Sequence, residues 1–173
     1  METFDAIHAR RSVRAYDSRP IPDDVLNKIL ETGRIAPSAS NRQPWHFIVV
    51  KDPERRKGLT DGPYAKFLKD TPVVIVGCGD TKTSPDWRAV DVTIALQQMV
   101  IAATAEGLGT CWIGSFYEDK VRELLKVPEK FEIVAMLALG YPKEKFDLKA
   151  ALMRSKNRKE MNEVLSHEEF GKD

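Results

Sequence analysis

Val92-Thr93-Ile94-Ala95-Leu96-Gln97-Gln98-Met99-Val100-Ile101-Ala102-Ala103-Thr104-Ala105 is apolar on nearly every side. A surface helix keeps a polar face, so a helix with this pattern is central and buried, in part against another subunit. Ser84-Pro85 stands before it, a capping hydroxyl followed by proline, and predicts a helix start there. Gly107 and Gly109 follow its end near Glu106, where a left-handed residue closes a helix. Two apolar runs frame it. Val73-Val74-Ile75-Val76, within residues 72–77, has the continuous pattern of a strand covered on both faces, and residues 131–139 read the same way. Residues 45–50 and 111–115 supply two shorter strands.

Working outward, Thr3 is placed to cap a short helix carrying Phe4, Ile7 and His8 and ending near Arg10 or Arg11. Residues 12–16 read as extended. Pro20-Ile21-Pro22-Asp23 opens a second helix with Val25, Leu26, Ile29 and Leu30 at helical spacing, and Pro37 stops it near Ala36. Residues 37–44 form a loop of turn-forming residues. Short helices are predicted over 53–61 and 64–68, an amphipathic one over 118–126, and a last one near 159–165. The order mixes helices and strands without strict βαβ alternation. That pattern predicts an α+β fold: a mixed, mainly antiparallel sheet wrapped by helices, in a single domain spanning 1–173.

Composition narrows the function classes. Lys and Arg number 27 against 26 Asp and Glu, so the chain has no general basic excess for nucleic acid. Cys78 and Cys111 form no CxxC pair and have no neighbouring histidine, which argues against a metal site or a disulfide framework; both read as core thiols. The N-terminus carries acids and no long apolar run, and no uncharged stretch reaches the ~18 residues of a membrane span. A soluble, cytoplasmic protein is expected. His8, His46 and His167 are far apart in sequence, and no side-chain constellation for acid–base or nucleophilic catalysis stands out. The glycines at 107, 109 and 114 do not follow the layout of a dinucleotide fingerprint.

Cationic and amidic residues do stand out. Arg10-Arg11-Ser12-Val13-Arg14 puts three guanidiniums and a hydroxyl at a helix–strand junction, a combination suited to clamping a phosphate. Strand alternation turns Ser12 and Arg14 to one side. Lys156-Asn157-Arg158 repeats the theme near the C-terminus. Taken alone, both runs read first as solvated surface charge. Pro37-Ser38-Ala39-Ser40-Asn41-Arg42-Gln43-Pro44 is either an ordinary helix–strand connection or a loop that presents amides and hydroxyls to a ligand. Gly107-Leu108-Gly109-Thr110-Cys111-Trp112-Ile113-Gly114 either packs helix on strand or lets a flat molecule approach the backbone.

In their order and rough spacing these motifs, with Trp45 after the loop and with Gly140-Tyr141-Pro142, resemble the FMN-dependent nitroreductase family over residues 4–165. The resemblance implies an α+β homodimer with two FMN sites at the subunit interface. It implies that Arg10, Arg11, Ser12 and Arg14 grip the FMN phosphate and pyrimidine edge, with Lys156 and Arg158 completing the phosphate site. It brings Pro37, Ser38, Ala39 and Asn41 from the opposite subunit, and lays Ile113 and Gly114 along the isoalloxazine with a backbone N–H facing N5. The implied activity passes hydride from NAD(P)H through flavin to nitro compounds, quinones or similar acceptors by a ping-pong mechanism, with no catalytic side chain and no metal. Dehalogenation, ene reduction or a non-enzymatic flavin-binding dimer on the same scaffold are the alternatives. Residues 51–83 and 114–131 leave little room for the extra helices that often cover the flavin in this family.

Overall fold

The computed structural model describes residues 1–143 and 158–171. Two units are distinguished, Met1–Pro142 and Lys143–Asp173. The first contains α1 (Thr3–Ala9), α2 (Asp23–Arg34), β1 (Trp45–Val50), α3 (Pro53–Gly58), β2 (Val73–Asp80), α4 (Arg88–Ala105), β3 (Gly109–Ile113), α5 (Glu118–Leu125) and β4 (Phe131–Gly140). The described part of the second holds one short helix, α6 (Met161–Val164), opened by a capping box in which Glu163 accepts from the Glu160 N–H at 2.8 Å.

The four strands form one sheet in the order β1-β2-β4-β3, every neighbouring pair antiparallel. All eight residues of β2 are buried, as a continuous apolar run requires of a strand covered on both faces. Alternation then divides the core in two. Val74, Val76 and Cys78 join Val13, Tyr16, Leu59, Leu68, Val121 and Leu125 on one face. Val73 and Ile75 join Leu26 and Ile29 of α2 and Val92, Leu96, Met99 and Val100 of α4 on the other. The strand runs three residues past Gly77, because a bulge between Gly77 and Cys78 lets pairing with β4 continue to Asp80.

The segment after α1 is extended, as its sequence suggests. Ser12 bridges Thr110 in parallel, Tyr16 bridges Pro142 in antiparallel, and the Val13 N–H donates to the Thr110 carbonyl at 2.8 Å. Helix α4 closes as its glycine predicts. Gly107 has φ 77°, Leu108 N–H donates to Ala103 O at 2.8 Å and Gly107 N–H to Thr104 O at 3.0 Å, a paired closure of the last turn.

Further boundaries differ from the sequence reading. Thr3 is the first helical residue and Glu2 the residue before it, with no side-chain cap. Helix α4 begins at Arg88, not at Ser84-Pro85, because the Asp80 carboxylate takes the N–H groups of Lys82 and Thr83 at 2.8 and 3.0 Å and winds 81–87 into turns. Strand β3 starts at Gly109 and ends at Ile113, two residues earlier than its apolar pattern suggests, because Gly109 pairs with Gly140. In the single chain α4 is buried on one side, while Val90 stays 46% exposed; nearby α1 leaves Phe4 76% and Ile7 49% exposed. No helix among the described residues is long and apolar enough to cross a membrane.

Candidate functional site

The Arg10–Arg14 segment is pinned to the start of β3. Buried Val13 anchors it: its N–H is held by Thr110, and its carbonyl accepts from the Tyr16 hydroxyl at 2.5 Å. The period of two turns Ser12 and Arg14 outward, and both are exposed; Arg10 and Arg11 are half-buried. The Cys111 thiol is pushed up by burial and drawn back by the Arg14 charge and a hydrogen bond with Ser12, so these side chains gather beside β3. Burial likewise raises the Tyr16 hydroxyl well above its usual range, and Tyr16 remains a neutral donor. The first and third motifs of the sequence therefore meet within one chain.

Two glycines give that corner its form. A Cβ on Gly109 would stand 2.6 Å from Val13 Cγ2, so glycine is what allows the arginine segment to lie against β3. A Cβ on Gly114 would meet no atom within 4 Å. The chain is exposed at Gly114, whereas the Ile113 side chain is buried in the core, so Ile113 offers only its backbone to a neighbour. Cationic side chains, a hydroxyl and an open backbone edge beside a glycine suit a flat, anionic ligand.

The 37–44 loop is built differently. Ser40, Asn41 and Gln43 all have left-handed backbone, with φ of 51°, 54° and 49°. Three such residues cost energy that their surroundings must offset. Ser38 Oγ accepts from the Gln43 N–H at 2.9 Å, Asn41 Oδ1 accepts from Gln43 Nε2 at 3.0 Å, and the Ala39 N–H donates to Asp91 Oδ1 at 2.9 Å. Asp91 is 2% exposed, and its other oxygen accepts from the Ser84 hydroxyl at 3.1 Å. The loop leaves through Pro44, whose carbonyl accepts from the Asp80 N–H at 2.8 Å. Asp91 and Ser84 escape a motif search; the available signal was an acid set between Val90 and Val92 in an apolar helix.

The two motifs lie at opposite corners of the sheet. Trp45, at the loop's end, is level with Gly79 and so with Glu132 of β4; Thr110, beside the arginines, is level with Leu139. Seven residues along β4 at about 3.3 Å each, and three strand spacings of about 4.8 Å, put these corners roughly 25 Å apart. Lys156 lies outside the described residues. Arg158 is exposed in the second unit. His8, His46 and His167 are exposed, His46 leaning on the Phe131 ring at 5.6 Å. Among the described residues no group of three His, Cys, Asp or Glu side chains is placed to hold a metal ion.

The fold and this corner define a class: an α+β protein with an antiparallel four-stranded sheet and an arginine–serine segment clasped to an edge strand that an exposed glycine follows. The model of the nitroreductase family matches residues 7–62 and 60–141, and the chain belongs to that family. It is 37% identical over 154 residues to an Archaeoglobus fulgidus protein named "Putative NADH dehydrogenase/NAD(P)H nitroreductase", covering 84% of this chain and 88% of that one. The structure of a nitroreductase family protein from Clostridium novyi NT superposes with a TM-score of 0.81 at 31% identity, covering 99% and 96% of the two chains. An FMN-dependent nitroreductase from Clostridium difficile R20291 superposes with a TM-score of 0.76 at 28% identity, covering 91% and 99%.

Proposed function

We propose that this chain is an FMN-dependent oxidoreductase that takes hydride from NAD(P)H and delivers it to nitro compounds, quinones or similar acceptors. Its relatives include a protein named for NAD(P)H and a structure named as FMN-dependent. The residues present fit a flavin mononucleotide: guanidinium and hydroxyl groups for the phosphate, and an unobstructed glycine edge for a flat ring. When bound, FMN supplies the hydride-carrying ring, while the protein supplies position and electrostatics.

The feature that carries the reading is the separation of the arginine corner from the 37–44 loop, roughly 25 Å by ideal strand spacing and longer than an extended flavin mononucleotide. A single ligand lined by both motifs therefore needs two chains. Arg10, Arg11, Ser12 and Arg14 of one chain hold the phosphate and pyrimidine edge. Pro37, Ser38, Ala39 and Asn41 of the other chain line the ring. Ile113 and Gly114 present their backbone to it. The exposed Phe4, Ile7 and Val90 on adjacent α1 and α4 supply apolar surface for a two-fold homodimer.

With one flavin face buried at the subunit interface, donor and acceptor use the other face in turn. Arg14 stabilises negative charge as hydride is taken up, an electrostatic role that needs no proton donor. Oxidation of NADH or NADPH by the purified protein, with menadione or a nitroarene as acceptor, tests the reading. Parallel double-reciprocal lines are expected. Intersecting lines, together with a His8 or His46 variant that abolishes turnover, would point instead to a ternary complex with general acid catalysis.

A further inference from the structure

Asp91 has no part in the chemistry above, yet it is one of the most deeply buried acids in the described chain, 2% exposed in the first turn of α4. A buried carboxylate is costly unless each oxygen is satisfied. Here each oxygen is taken by one neutral donor from a different segment. The Ala39 N–H reaches Oδ1 at 2.9 Å from 52 residues upstream, and the Ser84 hydroxyl reaches Oδ2 at 3.1 Å from the turn before the helix. Ala39 is the residue directly before the left-handed pair Ser40 and Asn41, whose backbone carries the strain of the loop.

We propose that Asp91, seated between the Ser84 hydroxyl and the Ala39 amide, is the positioning residue that fixes the flavin-lining loop. It rests on the flavin reading above. The acid sits on the buried face of the 18-residue helix, next to Val92. It therefore ties the loop to the buried face of a long helix. A charge-assisted acceptor at this point offsets the cost of three left-handed residues and holds Ser38, Ala39 and Asn41 in one arrangement before any ligand arrives. Ser84 acts behind it by fixing the carboxylate's rotation. Neither residue touches the ligand itself; both act through Ala39.

The test uses the full chain and FMN as the probe, with the variants Asp91→Leu, Asp91→Asn and Ser84→Ala. Three quantities are measured: the FMN dissociation constant, the two-electron potential of the bound flavin, and the melting temperature without FMN. Asp91→Leu removes the acceptor, and the dissociation constant rises about tenfold or more with a changed potential, the effect of losing one charge-assisted hydrogen bond. Ser84→Ala raises it about threefold. Asp91→Asn keeps an oxygen for the Ala39 N–H and recovers most of the affinity. If Asp91→Leu does not fold, Ser84→Ala and Asp91→Asn decide. The proposal is overturned if the folded variants bind FMN within about twofold of the parent at an unchanged potential, whatever their melting temperatures, for then Asp91 only stabilises the fold. A parent protein that binds no FMN overturns the flavin reading itself and this proposal with it.

Discussion

Gly109→Ala and Gly114→Ala separate packing from ligand approach. At position 109 the new methyl would lie 2.6, 2.8 and 3.0 Å from Cγ2, Cβ and Cγ1 of Val13. Ordinary carbon contacts are about 3.5–4.0 Å, so about 1 Å must open. Val13 has little room to yield: it is β-branched, 8% exposed, and pinned through its N–H to Thr110 and its carbonyl to Tyr16. Overpacking of this kind costs about 1–3 kcal/mol. The reduced freedom of the unfolded chain returns roughly 0.4–1 kcal/mol, because neither glycine has a positive φ that alanine would find strained. The net loss is about 1–2 kcal/mol, or roughly 2–8 °C in melting temperature for a chain of this length. The displacement passes into the Arg10–Arg14 segment, so FMN affinity falls with stability. At position 114 the methyl meets nothing in the chain, and stability stays within about 0.5–1 kcal/mol of the parent. It does occupy the open edge, and FMN affinity falls by about tenfold or more. Thermal unfolding and FMN titration on the same samples read both effects. A Gly114→Ala protein that melts several degrees lower, or that binds FMN as tightly as the parent, would refute the assignment of that edge to the ligand.

Three further outcomes are expected. Arg10→Ala weakens FMN binding by about 1.5–3 kcal/mol, the range for a hydrogen bond to a charged group, measured by flavin fluorescence; unchanged binding would return the arginines to plain surface charge. The Lys130 ammonium and the N–H groups of Thr83 and Lys82 hold the Asp80 carboxyl down to about 2, so its contribution to stability is fully present above its ordinary 3.8 and is lost as pH falls from there through about 2. Asp80→Asn should flatten that part of the stability–pH curve. Burial pushes the Cys78 thiol up to about 11 and raises Cys111 as well, so neither reacts readily with Ellman's reagent at pH 8 until the chain unfolds, and rapid native labelling would show that the core opens locally.

The strands were the most legible part of the sequence. Val73-Val74-Ile75-Val76 signals burial on both faces through composition alone, and β1 begins and ends where its apolar residues do. Boundaries set by side chains distant in sequence were not legible. Ser84-Pro85 has the chemistry of a helix start, yet Ser84 spends its hydroxyl on Asp91 and Asp80 organises the turns that delay α4. The continuation of β2 past Gly77 depends on a bulge, which glycine permits but does not announce. At the candidate site, the Arg10–Arg14 segment and Gly114 are singled out by motifs alone, because guanidinium and glycine signal through local chemistry. The left-handed run at Ser40, Asn41 and Gln43 and its anchor on Asp91 could not, because a hydrogen bond spanning 52 residues has no local pattern.

The central claim is that two copies of this chain together build each flavin site. Sedimentation of the FMN-loaded protein, followed at the flavin absorbance and at the protein absorbance, tests it most directly. The account predicts a dimer that carries one FMN per chain, with flavin lost as dilution drives the dimer apart. A stable monomer with full flavin occupancy would contradict it, for the arginine corner and the 37–44 loop of one chain stand too far apart to line the same ligand.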